Sequence, residues 1–169
     1  IETVKRHIAI PAILGRICPA PCEKACRRAQ HDGALAICEL KRFAADTDLA
    51  DAAPFSPPAT EPSGKSVAVV GAGPTGLSAA YYLAIFGHEC HVFDSGGAPG
   101  GMLRTEVPED RLSRAVLDAE IERIRAAGVK FHKEVTLGED ISLDGLRRDY
   151  DAVVIAFGAD GPFESLDGQ

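Results

Sequence analysis

The chain has 169 residues, a formal net charge of −7 and 46% hydrophobic residues, enough apolar content for one globular core with at most a small satellite domain. No apolar run reaches the roughly 20 residues a membrane helix needs, the mixed-charge start IETVKRHIAI shows no signal peptide, and an acidic balance without a basic cluster argues against nucleic acid as a main partner. Five cysteines, three of them clustered, do not suit a disulfide scaffold; they point to a reducing, cytoplasmic setting and to metal or cluster ligation.

Residues 1–50 read as helical, with a break at Pro19 and Pro21. Ile1 opens inside what reads as an ordered segment, so a piece of a longer polypeptide is expected. Cys22–Ala29 is predicted as a short helix and Leu35–Asp46 as a longer one. On the longer helix Leu35, Cys38 and Arg42 fall near one face, and Ile37, Leu40 and Ala44 near another. Residues 51–65, DAAPFSPPATEPSGK, are proline-rich with little apolar pattern and read as an extended connector between domains.

The second unit covers residues 66–160. SVAVVG (Ser66–Gly71) is a β-branched run expected as a strand buried on both faces. LSAAYYLAIFG has helical spacing and stops on Gly87. HECHVFD is a second strand, SGGAPGGMLR a glycine-rich loop, and Ser113–Ala127 an amphipathic helix turning Val116, Leu117, Ile121 and Ile124 inward. VKFHKEV is a further strand, ISLDGLRRD a short helix, and Tyr150–Ala159 a last buried strand, with residues 161–169 a tail. Strands alternating with helices predict an α/β fold: a Rossmann-like βαβ unit on a parallel sheet, preceded by a small helical segment.

Gly71-Ala72-Gly73-Pro74-Thr75-Gly76 lies between the first strand and its helix, with Asp94 ending the second strand. In that context GxGxxG reads as a dinucleotide site. Gly71 permits the tight turn, Gly73 lets backbone approach a pyrophosphate, and Gly76 lets helix and strand pack closely. The helix N-terminus, at Pro74 and Thr75, offers N–H groups to phosphates. Asp94 is placed to accept ribose hydroxyls and disfavours a 2′-phosphate, so NADP is not expected at this site. The fingerprint alone leaves FAD and NAD open. Its extension through Ala80, Leu83 and Gly87, and the second glycine loop with Gly100, Gly101, Met102, Leu103 and Arg104, favour FAD. The Ala156–Ala159 turn, including Gly158, is expected near the cofactor.

Cys18, Cys22 and Cys26 recur every four residues, with prolines between the first two. On a helix Cys22 and Cys26 would share a face, so three sulfurs converge or two centres share the segment. Thiolates suit an iron–sulfur cluster. A zinc site with His31 as a fourth ligand is the rival, weakened by the absence of a CxxC pair. Cys38 reads as core or as a further ligand, and Cys90 as a packed core thiol. His88 and His91 read as sheet-edge residues, and His7 and His132 as lacking companions.

In this order, GRICPAPCEKAC (Gly15–Cys26), ELKRFAAD (Glu39–Asp46), VAVVGAGPTGLSAAYYLAIFGHECHVFD (Val67–Asp94), GGMLR (Gly100–Arg104) and DISLDGLRRDYDAVVIAFGA (Asp140–Ala159) resemble one family. It is that of the bacterial glutamate synthase small subunit and the matching N-terminal half of dihydropyrimidine dehydrogenase. The resemblance implies two [4Fe–4S] clusters, FAD, and oxidation of NAD(P)H with electrons passed to a redox partner protein or larger catalytic subunit. It implies that Cys18 and Cys22 bind one cluster and Cys26 the other, with further ligands upstream of Ile1. It places Lys41 where some relatives carry a ligating Gln or Glu, and Cys38, one helical turn earlier, as a substitute. The family's nicotinamide-binding unit lies beyond Ala159, so this chain alone is expected to be inactive. The alternatives are an NAD-linked oxidoreductase with structural zinc and a non-catalytic docking or electron-relay module.

Overall fold

The computed structural model describes residues 1–58 and 60–158. The expected tail and the Ala159 end of the last turn lie outside the described residues. In chain order the elements are α1 (Glu2–Lys5), α2 (Pro11–Ile17), α3 (Pro21–Lys24), a 3₁₀ turn (Arg27–Gln30), α4 (Ile37–Leu49), β1 (Ser66–Val70), α5 (Pro74–Ile85), β2 (Glu89–Asp94), α6 (Met102–Thr105), α7 (Arg114–Ala126), β3 (Lys130–Lys133), α8 (Leu143–Asp149) and β4 (Ala152–Ile155).

The β-branched run of β1 lies inside the sheet, which has the order β3-β2-β1-β4. Every pairing is parallel: Val69 sits opposite Val92 and Val154, and Phe93 opposite His132. One face carries Val67, Val69, Cys90 and Val92 against Leu77 and Ala80 of α5 and Leu117, Ile121 and Ile124 of α7. The other carries Ala68, Val70 and Phe93 against Leu146 of α8. Helices on both faces explain why β1 is apolar at successive positions rather than at alternate ones. The amphipathic α7 turns the expected residues inward, and Ser113 caps it by accepting the Val116 N–H.

The first 50 residues do not build a separate core. Ala9, Ile10 and Ile13 are buried in the same cluster as Val69 and Leu117. The described residues between α4 and β1 form no helix or strand, yet they are not a loose tether. Phe55 donates its N–H to Asp48 (2.8 Å), and its carbonyl accepts from Lys5 (2.9 Å) and from Arg123. Further on, Thr60 and Ser63 donate to the carbonyls of Ile85 and Gly87 (3.0 and 2.9 Å).

Several local expectations change. The last strand, expected buried, is the sheet edge β4, with Ile155 41% exposed. The predicted helix over Cys22–Ala29 splits into α3 and the 3₁₀ turn, because Cys26 is extended (φ −68°, ψ 120°) and its N–H bonds the Glu23 carbonyl three residues back. The longer helix starts at Ile37 and turns Ala45 and Asp48 inward, leaving Leu40 and Phe43 61% and 72% exposed. The glycine-rich loop closes into a helical turn, α6, at Met102–Thr105. His91 lies on an interior strand, not an edge, and His132 has a companion: the two rings stack, with Nδ1 of His91 2.9 Å from Nε2 of His132.

Candidate functional site

The carboxyl ends of β1, β2 and β4 open onto one cleft of about 510 Å³. Open α/β sheets bind ligands at that edge. Lining it are Gly71, Gly73, Pro74, Thr75, Asp94, Gly101, Met102, Arg104 and Gly158 among the residues anticipated from the sequence. Phe93, Val135 and Leu137 add apolar walls that no local motif announced, and Phe157 adds another from the turn expected there.

The glycine turn is forced by packing. Gly71 has φ +105°, and a Cβ there would sit 2.4 Å from the Ala156 carbonyl oxygen; a Cβ on Gly76 would sit 1.8 Å from the Gly71 carbonyl oxygen. Those two glycines let β1, β4 and α5 meet. Gly73 differs: a Cβ there would meet nothing within 4 Å, so its backbone faces open cleft. Gly73 is also the N-cap of α5 and no side chain caps that helix, leaving its positive end toward the cleft. Asp94 reaches back to the turn. One carboxylate oxygen accepts the Ala72 N–H (2.6 Å) and the other the Gly96 N–H (2.8 Å). Each oxygen keeps capacity for one more donor, as a ribose diol requires.

Gly76, Gly100 and Leu103 stand behind the lining. Leu103 is 2% exposed and belongs to the core, so its expected place at the cofactor is corrected; Met102, 49% exposed, takes the cleft side of that turn. This follows from α6: a helical turn sends adjacent side chains to different faces. Arg104 donates to the Pro99 carbonyl (2.9 Å) and pairs with Asp118, fixing the glycine loop to α7.

The cysteine loop follows α2 directly. Ala20, between the two prolines, is left-handed (φ 49°, ψ 51°) and donates its N–H to the Cys18 sulfur at 3.4 Å. A non-glycine residue in this region carries strain that its surroundings must hold in place. Hydrogen bonding from the backbone at Leu35, then at Arg28, holds the Cys26 thiol below its ordinary pKa, favouring the thiolate that metals require. Cys22 is exposed and Cys18 half-buried. Cys38 lies beside Cys18; burial first, and Cys18 after it, push its pKa up, and its sulfur lies 3.4 Å from the Gly15 carbonyl oxygen, a thiol–backbone contact between α4 and α2. Among the described residues no three His, Cys, Asp or Glu side chains gather into one metal-binding group. The three sulfurs therefore do not converge, and His31 is exposed without joining them. Cys90 is buried, its thiol pushed up to about 11 by desolvation, as expected of a core cysteine.

Among the described residues, no helix is long and apolar enough to cross a membrane. Comparison with known proteins divides the chain at the segment between α4 and β1, although the two parts share one core. Residues 1–53 match the family model described as dihydropyrimidine dehydrogenase domain II, 4Fe–4S cluster, and residues 69–126 that of an NAD(P)-binding Rossmann-like domain. The β subunit of the NADP(+)-dependent formate dehydrogenase of Moorella thermoacetica is 40% identical over 94% of this chain, which spans 25% of that protein. The small chain of the NADPH glutamate synthase of Mycobacterium tuberculosis is 38% identical over 94% of the chain and 33% of its own length. The PreT subunit of the NAD-dependent dihydropyrimidine dehydrogenase of Escherichia coli is 35% identical over 93% of the chain and 38% of its own length. Among solved structures, Mycobacterium tuberculosis FprA in complex with NADPH superposes with a TM-score of 0.51 at 25% identity, over 56% of this chain and 23% of that one. The chain spans about a quarter to two fifths of the curated relatives just named. One after the other, the chain thus carries a match to a 4Fe–4S cluster domain and a match to an NAD(P)-binding domain, and over more than nine tenths of its length it is similar to the glutamate synthase small chain and to PreT.

Proposed function

We propose that this chain carries the flavin-binding and cluster-binding stretches of a cytoplasmic NAD(P)H-oxidising iron–sulfur flavoprotein that delivers electrons to a redox partner or larger catalytic subunit. The observation that carries the reading is the pairing, on one core, of an open dinucleotide cleft with a strained loop of three non-convergent cysteines. Residues 1–50 form the cluster-bearing part, residues 51–65 the connection, and residues 66–160 the FAD-binding part.

Gly73 and the uncapped end of α5 fit a pyrophosphate, and Asp94 fits a ribose diol. Gly71 and Gly76 hold that turn in shape, Gly101 packs against the Gly73 backbone, and Met102, Arg104 and Gly158 complete the lining available to an extended cofactor. FAD supplies hydride acceptance and one-electron release. The chain's own contribution is to bind and orient it; no general acid or base is needed for hydride transfer to a flavin. Cys18 and Cys22 would supply thiolates to one cluster and Cys26 to the other, the split implied by the resemblance to the 4Fe–4S cluster domain over residues 1–53. Cys38, in contact with the Gly15 carbonyl and held above its ordinary pKa by burial, is a poorer thiolate donor than Cys26, which is held below its own.

The test is anaerobic purification of this chain and of a polypeptide extended to its relatives' length, with an absorption spectrum and flavin, iron and zinc analysis. Flavin and iron together are expected in the longer protein. Replacing Gly73 by Ile is expected to remove flavin and keep iron; replacing Cys18 and Cys22 by Ala is expected to lower iron and keep flavin. A colourless protein with stoichiometric zinc would overturn the reading in favour of an NAD-linked enzyme with structural zinc.

A further inference from the structure

Helix α2 ends one residue before Cys18, and both of its ends are held by the nucleotide-binding unit. At its start, the Glu120 carboxylate of α7 accepts the Ala12 N–H at 2.6 Å. At its finish, Arg111 donates to the carbonyls of Arg16 and Ile17 at 3.3 and 3.4 Å. An acid at the N-terminus and a base at the C-terminus match the helix dipole. Between them Ile13 is fully buried in the shared core. The position of the cysteine loop is thus set from the other region of the molecule.

Glu120 is an unusual residue for this duty. It is 1% exposed, in a helix face otherwise made of Leu117, Ile121 and Ile124. Four titratable groups face it: Lys5 of α1, Asp48 of α4, Tyr81 of α5 and Arg123 of its own helix. The two cations are already engaged. Lys5 pairs with Asp48 at 2.5 Å and donates to the Phe55 carbonyl, which Arg123 also approaches. Arg123 Nη1 and the Tyr81 hydroxyl are buried beside it with no hydrogen-bond partner. A carboxylate this deep, with one backbone donor and no cation of its own, is costly to ionise. Burial, the largest influence, pushes its pKa up to about 7, against the opposing pull of Ala12, Lys5 and Arg123.

We propose that Glu120 is a positioning residue whose protonation governs how firmly α2, and with it the Cys18 loop, is docked on the nucleotide-binding unit. A protonated Glu120 stays buried and its carbonyl oxygen still accepts the Ala12 N–H. Lifting α2 lets water reach the carboxyl and lowers its pKa toward the ordinary value. The docked state therefore binds the proton more tightly than the lifted one. Docking is firmest in mild acid, loosens as pH rises from the ordinary glutamate range toward 7, and is constant above that. The proposal rests on the cluster-and-flavin reading only for its functional meaning, namely that electron delivery between the two regions becomes sensitive to pH. The geometry stands without it.

Hydrogen exchange of the full chain, read on peptides covering residues 8–18 and corrected for the intrinsic pH dependence of exchange, tests this without any cofactor. Protection of α2 is expected to fall about tenfold or more between pH 5 and pH 8, relative to α5. Glu120→Gln keeps an acceptor for Ala12 and is expected to flatten that dependence; Glu120→Met, of similar volume, serves if the glutamine variant does not fold. The Glu120 carboxyl carbon, followed by NMR, is expected to titrate near neutrality. A flat wild-type profile, or a pH dependence that survives both substitutions, would overturn the proposal. Neither result bears on whether the chain binds flavin or iron, so this failure is separable from failure of the proposed function.

Discussion

The cysteine-bearing helices and the nucleotide-binding unit are held in shape by different forces. In the second unit, four consecutive β1 residues are buried and two amphipathic or apolar helices close over them. In the first, the helices are short, α1 to α4 have no side-chain N-caps, and Leu35, Ile37, Leu40 and Phe43 are exposed. What fixes it is a handful of specific polar contacts: Lys5 with Asp48, Arg16 with Asp46 (2.7 Å), Glu23 with the Cys38 N–H (2.7 Å) and Glu120 with Ala12. Burial of apolar area makes a fold that tolerates change, whereas buried ion pairs make one that breaks when either partner is removed. The loop with the reactive chemistry sits on the second kind of support and takes its hydrophobic anchoring from its neighbour.

That contrast can be broken most sharply at Gly76. Gly76→Ala forces a Cβ to 1.8 Å from the Gly71 carbonyl, so loss of about 3 kcal/mol or more is expected in urea denaturation, with the nucleotide cleft lost as well. Gly128→Ala, where φ is +101° but nothing lies within 4 Å, isolates the conformational cost alone, about 1 kcal/mol.

Next come the anchors. Lys5→Met leaves Asp48 buried with only the more distant Arg123 (3.8 Å) as a cation and is expected to cost about 3 kcal/mol, while the double variant Lys5→Met/Asp48→Leu recovers part of the loss. Burial pushes the Asp48 pKa up, but hydrogen bonds from Lys5 and the Phe55 N–H outweigh it and hold the group below its ordinary value. Its stabilisation is therefore present above the ordinary aspartate range and is lost as pH falls from that range through the lowered folded value. Thermal melts of Asp48→Asn should lack this acid-side limb, a slope opposite in sign to the one expected of Glu120.

If the two regions share a core, Ile13→Ala in the first should cost as much as Leu77→Ala in the second, about 2–5 kcal/mol each. A much smaller value for Ile13 would show that the helical region folds by itself. Phe43→Ser, at 72% exposure, is expected to change stability by less than about 0.5 kcal/mol. The thiols give a chemical reading of the same difference. In timed alkylation followed by mass spectrometry, Cys26 should reach half its maximal rate at a lower pH than Cys38, and Cys90 should stay unmodified until the protein unfolds.

Much of the second unit was legible in the sequence because its signals are local. A β-branched run, a glycine turn and an apolar helix fall within Ser66–Gly87, so strand, turn and helix are written next to one another. Asp94 was found the same way, from its place at the end of the next strand. The side chain that completes the pairing of His91, by contrast, comes from β3, and the partners of Glu120 come from α1, α2, α4 and α5. Local periodicity makes Glu120 look like one more inward position on α7, which it is, without saying what it meets there.

By itself, the sequence determined the alternation of strands and helices, the glycine fingerprint with its acid, and three thiols on a proline-broken loop, because each depends on the residues beside it. Only the tertiary structure decided that the cysteine helices share the sheet's core, that Leu103 packs inward while Met102 faces the cleft, that Cys26 leaves the helix, and that a buried carboxylate holds the start of α2. Those outcomes depend on groups brought together from distant parts of the chain, where burial and hydrogen bonding override local preference.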